Sequence, residues 1–144
     1  LHDYLFSVEI WGLYELSFFS SCSPLLSVQL LTKYTREMLR KSDFLQGVGK
    51  NRNMMHTLLL NGFMACIEVD DFTNALYFKK QIEKNFFEEN ETYFRIVYLW
   101  AEGLLDSKQG RVEDGQRKME DAVRIFEMIG CSKSADYYRS AIEC

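Results

Sequence analysis

Histidine is the side chain most often recruited for acid–base chemistry near neutral pH, and this chain has two, His2 and His56. His2 lies beside the first residue, and His56 stands alone in an apolar helical stretch. No cysteine or serine falls at a spacing that would pair it with either imidazole as an activated nucleophile. The four cysteines, Cys22, Cys66, Cys131 and Cys144, are scattered. No two of them make a metal-ligand pair, and a chain of 144 residues does not need stapling. They read as reduced thiols. Gly47-Val48-Gly49-Lys50 has the composition of a phosphate loop, but the outer glycine and the hydroxyl residue of that motif are replaced by Phe44 and Asn51, and no strand precedes it. It reads as a flexible connector. Asn90-Glu91-Thr92 matches a glycosylation sequon, although helix capping explains Asn90 better. Glu9 and Glu15 are six residues apart and share no helical face well, so paired acid–base carboxylates are a poor reading. No enzyme, metal or cofactor is expected.

Binding chemistry is better represented. Met54, Thr57, Asn61, Met64 and Glu68 recur at helical spacing, opposite a face made by Met55, Leu59, Gly62, Cys66 and Val69. Methionines adapt to apolar ligands, and one asparagine amide offers a peptide backbone both a donor and an acceptor. Periodicity alone favours an ordinary amphipathic helix with a solvated face over a ligand groove.

Helices must position these residues, because strand signals are weak and there is no Asn-Gly or Asp-Gly hairpin. The apolar spacing predicts helices over about 3–20, 23–41, 53–69, 72–87, 90–108, 112–129 and 135–144. Ser23 with Pro24, Asp70-Asp71 and Asn90 serve as starts, and Gly130 as a stop. Short turns imply antiparallel neighbours, paired first with second, third with fourth and fifth with sixth. Gly12, Gly62 and Gly103 each fall inside the first helix of a pair. A helix-interior glycine costs about 1 kcal/mol against alanine, so a closely approaching partner helix is its natural reason. The third pair, with Tyr98 to Gly103, Gln109-Gly110 and Ala122 to Phe126, resembles a tetratricopeptide hairpin. The expected fold is all-α: a TPR-like right-handed solenoid of three helical hairpins plus a C-terminal helix, spanning 1–144 as one domain, with the first helices lining the concave side. Trp100 and Ser21 would then join the groove, Trp100 as a wall and Ser21 at the rim.

Composition bounds the partners. Formal net charge is −4, without the basic stripe that nucleic acid needs. The apolar stretch from Tyr4 to Leu31 is interrupted by Glu9, Glu15 and a polar break, so no membrane span is expected. The chain opens on Leu1 rather than Met and has no signal-peptide pattern; it reads as a piece of a longer cytoplasmic protein.

The segment Asp3 to Leu16, with Glu9-Ile10-Trp11-Gly12-Leu13-Tyr14-Glu15 at its centre, closely resembles the opening of the regulatory domain in the Rgg/GadR/MutR family of bacterial transcription regulators. Similarity continues through Leu31 to Lys33, Thr35 to Met38, Lys108 to Gly110 and Ala122 to Gly130. The resemblance implies a cytoplasmic homodimer that binds a short peptide pheromone in quorum sensing, with an N-terminal helix-turn-helix DNA-binding domain absent from this piece. It also implies that Asn61 and Tyr93 face the peptide. Where the family often has Asn and then Arg, this chain has Ser21 and Pro24, so a cationic anchor for a peptide carboxylate is missing there. The alternative is a helical-repeat module that holds another protein and no peptide. A groove lined by Met54, Thr57, Met64 and Tyr93 would discriminate the two. Trp11 is expected to pack between helices, and the last helix, with Tyr137, Tyr138, Ala141 and Ile142, either to close the core or to carry the dimer contact.

Overall fold

The computed structural model describes residues 26–41 and 49–143. The predicted first helix with Trp11 and Gly12, the Ser21 rim, the Ser23-Pro24 start and Gly47-Val48 of the connector lie outside the described residues. Six helices and no strand are present among those described: α1 Val28–Lys41, α2 Gly49–Glu68, α3 Phe72–Lys84, α4 Thr92–Lys108, α5 Val112–Met128 and α6 Ser132–Glu143. The all-α expectation holds. The chain divides into two compact units, the first containing α1, the body of α2 and α3, the second the turn at Ile67–Asp71 and everything from Phe86 on.

In the first unit, α1 opens on Ser27, whose hydroxyl accepts the Leu30 N–H at 3.3 Å, as an N-cap should. It buries Leu31, Tyr34 and Met38, while Leu30 stays exposed. α2 starts at Gly49, about one turn earlier than the apolar pattern predicts, so Gly49, Lys50 and Asn51 belong to a helix rather than a loop. This extra turn is tied to the next by the Arg52 guanidinium, 3.3 Å from His56 Nε2. Arginine can only donate, so the nitrogen it meets is unprotonated. His56 is accordingly a buried core residue. Met55, Leu58, Leu59, Phe63 and Cys66 of α2 and Ala75, Phe78 and Ile82 of α3 are buried as well. Each fully buried side chain of this size contributes about 1.5–3 kcal/mol. Gly62 lies against the Phe78 ring, where a Cβ would overlap it. Val69, expected on the buried face of α2, is exposed, because the helix ends at Glu68.

In the second unit, α4 and α5 form a hairpin. Both Gly103 and Gly115 are buried, and a Cβ on Gly103 would meet the Gly115 carbonyl at 2.5 Å, so the backbones touch where the helices cross. Both stops are glycine motifs. Gly110 (φ 96°) and Gly130 (φ 81°) adopt left-handed backbone. Arg111 N–H reaches Asp106 O at 2.9 Å, and Cys131 N–H reaches Phe126 O at 2.8 Å. The predicted start at Asn90 is shifted: the cap position is Glu91, with no side-chain cap bond. Its carboxylate instead folds back to accept the Glu88 N–H at 2.8 Å. α3 ends at Lys84 rather than near Phe87, and Arg95 donates to the Glu88 and Phe87 carbonyls, holding the intervening loop so that Phe87 is buried.

Candidate functional site

On α2, the helix that carries the predicted stripe, the two faces separate by burial. Thr57 and Asn61 are exposed, Met54 and Met64 half-buried, and Glu68 exposed, while Met55, Leu58, Leu59, Gly62, Phe63 and Cys66 are buried. Thr57 spends its hydroxyl on the Asn53 carbonyl at 2.8 Å, which leaves methyl and methylene surface outward. Asn61 has no hydrogen-bonding partner among the described residues. The face therefore combines two half-buried, adaptable methionines with Thr57, one available amide and the exposed Glu68 carboxylate.

The other predicted contacts belong to the second unit. Tyr93, in the first turn of α4, is exposed, with its ring 5.7 Å from Phe94 and 5.7 Å from Phe126. Trp100 is different. It is only 4% exposed, and its ring sits 5.1 Å from that of Tyr138 on α6. An expected wall residue is thus covered by α6 and packed inside its unit. Its indole N–H has no partner among the described residues. Ser21 lies outside them.

Sequence reasoning missed a cleft of about 360 Å³ lined by Tyr93, Lys133, Ser134, Tyr137 and Tyr138. Adjacent residues on a helix point about 100° apart, so Tyr138 enters the core, stacked 5.7 Å from Phe126, while Tyr137 stands outside at 69% exposure. Burial, with the neighbouring Tyr93 and Tyr137, pushes the Tyr138 phenol well above its ordinary value. It stays protonated near neutral pH. A tyrosine pair seven helices into an amphipathic pattern was the one signal available. A second cleft, about 440 Å³, opens between α5 and α6 at Val123, Arg124, Glu127 and Arg139. Arg139 lines it, paired with Glu127 and with Asp136.

The strongest electrostatic feature is structural. Asp106 accepts from Arg111 at 2.7 Å and Lys118 at 2.8 Å, one partner on each oxygen. Partial burial alone would raise its carboxyl, but hydrogen bonds and charge from Lys118 and Arg111 outweigh it and hold the group below its ordinary value. The pair closes the α4–α5 turn. Among the described residues, no group of three or more His, Cys, Asp or Glu could hold a metal ion, and no helix is long and apolar enough to cross a membrane.

Residues 1–140 match the family model of the HTH-type transcriptional regulator Rgg, C-terminal domain. Among solved structures, the chain is similar to the SHP pheromone receptor Rgg2 of Streptococcus dysgalactiae, at 29% identity and a TM-score of 0.89, covering 98% of this chain and 54% of that one. A cysteine-to-serine form of the same receptor matches at 29% identity and a TM-score of 0.91, over 98% and 52%. A candidate transcriptional regulator from Listeria monocytogenes EGD-e shares the fold at 21% identity and a TM-score of 0.84, over 99% and 49%. The chain thus spans about half the length of these three structures.

Proposed function

The chain belongs to the Rgg family, as a C-terminal domain of its transcriptional regulators, and from that membership we propose that it is a peptide-sensing regulatory and dimerisation domain. A short, mainly hydrophobic pheromone is its ligand, and quorum sensing in the cytoplasm its setting. A helix-turn-helix domain elsewhere in the whole protein would make the DNA contact, which suits the net charge of −4 on this half. The observation that carries the reading is the match of nearly the whole chain to a pheromone receptor at 29% identity. The unburied face of α2 supports it. Asn61 fixes the peptide backbone with its amide, Met54, Thr57 and Met64 form adaptable walls, and Tyr93 contributes ring and hydroxyl. Trp100 acts from behind, supporting Tyr138.

Isothermal titration against a panel of short hydrophobic peptides, beginning with SHP pheromone, tests the reading. Removing a hydrogen-bonding partner from a buried peptide group costs about 1–3 kcal/mol, so Asn61→Ala should weaken binding roughly 5- to 150-fold with the fold intact. Unchanged affinity in both Asn61→Ala and Tyr93→Phe would remove both proposed contacts. The reading would then pass to a module that holds another protein chain and no peptide.

A further inference from the structure

We propose that the tyrosine cleft at the start of α6 is a terminal-residue subsite: it takes an apolar or aromatic C-terminal side chain of a peptide, with the free α-carboxylate on Lys133. The proposal rests on the peptide-sensing reading and adds to it an end, a charge requirement and a second site. All of its parts lie in one compact unit.

The walls are aromatic. Tyr93 and Tyr137 leave 49% and 69% of their surfaces exposed on either side of the cleft, and Tyr138 forms its back. Tyr137 stands edge-on to Tyr138, ring centroids 4.9 Å apart at 86°. Rings so arranged offer one face and one edge to an incoming apolar or aromatic side chain. Behind them Phe126 and Trp100 pack on Tyr138 from two sides, so the back wall is fixed before a ligand arrives. A volume of about 360 Å³ holds one large side chain with its carboxylate, and not a folded partner.

The polar groups select the charge. Lys133 lines the cleft, and no described carboxylate pairs with it. Asp136, one turn along α6, is taken by Arg139 at 3.0 Å, and the first turn of α6 holds no acidic residue. The Tyr93 hydroxyl adds a group that can donate as well as accept. With the Ser134 hydroxyl beside it, the cleft presents an ammonium and hydroxyl donors around an aromatic floor and no anion to compete. A cationic ligand would meet Lys133, and a neutral one would leave it unpaired. An apolar group carrying a carboxylate satisfies both halves.

The probes are N-acetyl-L-phenylalanine, which keeps the carboxylate, and N-acetyl-L-phenylalaninamide, which replaces it. Binding to the 144-residue chain is followed by ligand-observed NMR, and circular dichroism checks each variant's fold. The acid should bind about tenfold more tightly than the amide at low salt, as expected for a hydrogen bond to a charged group, and lose that advantage as salt screens it. Lys133→Gln should make acid and amide equal without abolishing the weaker binding. Tyr137→Ala should weaken both probes. Free phenylalanine, whose ammonium would face Lys133, should bind less tightly than the acetylated acid. The proposal is overturned if neither probe binds, if acid and amide bind the parent alike, or if Lys133→Gln leaves the difference in place. These outcomes separate from failure of the underlying reading. A peptide that binds with sensitivity to Asn61→Ala, but not to C-terminal amidation or Lys133→Gln, removes this subsite and keeps the sensor.

Discussion

Among single residues, Trp100 and Asp106 show opposite ways of handling a polar group drawn away from solvent. Trp100 keeps an indole N–H inside the second unit with no described acceptor, a deficit of about 1–3 kcal/mol. Trp100→Phe removes that donor along with some volume and should cost less than about 1.5 kcal/mol, whereas Trp100→Ala should cost about 3–5 kcal/mol. Urea unfolding of the two variants decides it: equal losses would mean that the N–H has found an acceptor. Asp106 is fully partnered, and its carboxyl is held below the ordinary value by Lys118 and Arg111 against the opposing effect of burial. A carboxyl that binds its proton less tightly when folded adds stability above its unfolded value, about 3.9. That stability is lost as pH falls through the lower folded value. Asp106→Asn should therefore destabilise by about 1–2 kcal/mol at pH 7. The gap between the melting curves of parent and variant should close in acid; a gap that widens there would reverse the assignment. Neither role was legible in the sequence. Trp100 fell on the predicted groove side by spacing, and only the position of α6 shows that its ring is covered. Asp106 carries no sequence signal of its role, because its partners lie across a turn.

At the level of elements, periodicity was enough to find α2 to α6, and the glycines inside them carried more information than their propensity cost suggested. Gly62 and Gly103 were expected at close helix approaches, and both are there. Gly115, their counterpart on α5, was not singled out, although a Cβ there would overlap the Gly103 carbonyl. Gly103→Ala and Gly115→Ala each gain about 1 kcal/mol of helix propensity and lose more to overpacking, since each new Cβ would meet a backbone carbonyl of the facing helix. Each should destabilise by about 1–3 kcal/mol in thermal unfolding. Both substitutions open the same crossing, so the double variant should fall short of the sum. Gly130→Ala is the control with open space around it: nothing lies within 4 Å, and its φ of 81° alone should cost about 1–2 kcal/mol. The helix ends were read less well. Asn90 is a better intrinsic cap than Glu91, yet Arg95 ties down the preceding carbonyls and Glu91 answers with a bond to Glu88, so side chains beyond the local pattern set the boundary.

For the molecule as a whole, the all-α class was legible because apolar residues keep a helical period from end to end, and the family from the Glu9 to Glu15 motif. Which residues stay outside was not, because that depends on what each helix meets. The last helix shows this: Ala135 and Tyr138 close the core, whereas Tyr137 is exposed. Ile125, Met128 and Ile129, at helical spacing near the end of α5, are 36%, 77% and 58% exposed. A patch of this kind at the end of a helical array lacks the polar outer face that terminal repeats normally carry. The proposed homodimer accounts for it, with α5 and α6 of two copies covering the patch. Light scattering should find a dimer for the parent chain, and Met128→Lys with Ile129→Lys should shift it to monomer while leaving its helical content unchanged. Both side chains are exposed in the single chain, so their replacement removes little from its own core. A parent that stays monomeric at about 0.1 mM, a concentration at which even a weak specific dimer forms, would exclude self-association through this surface.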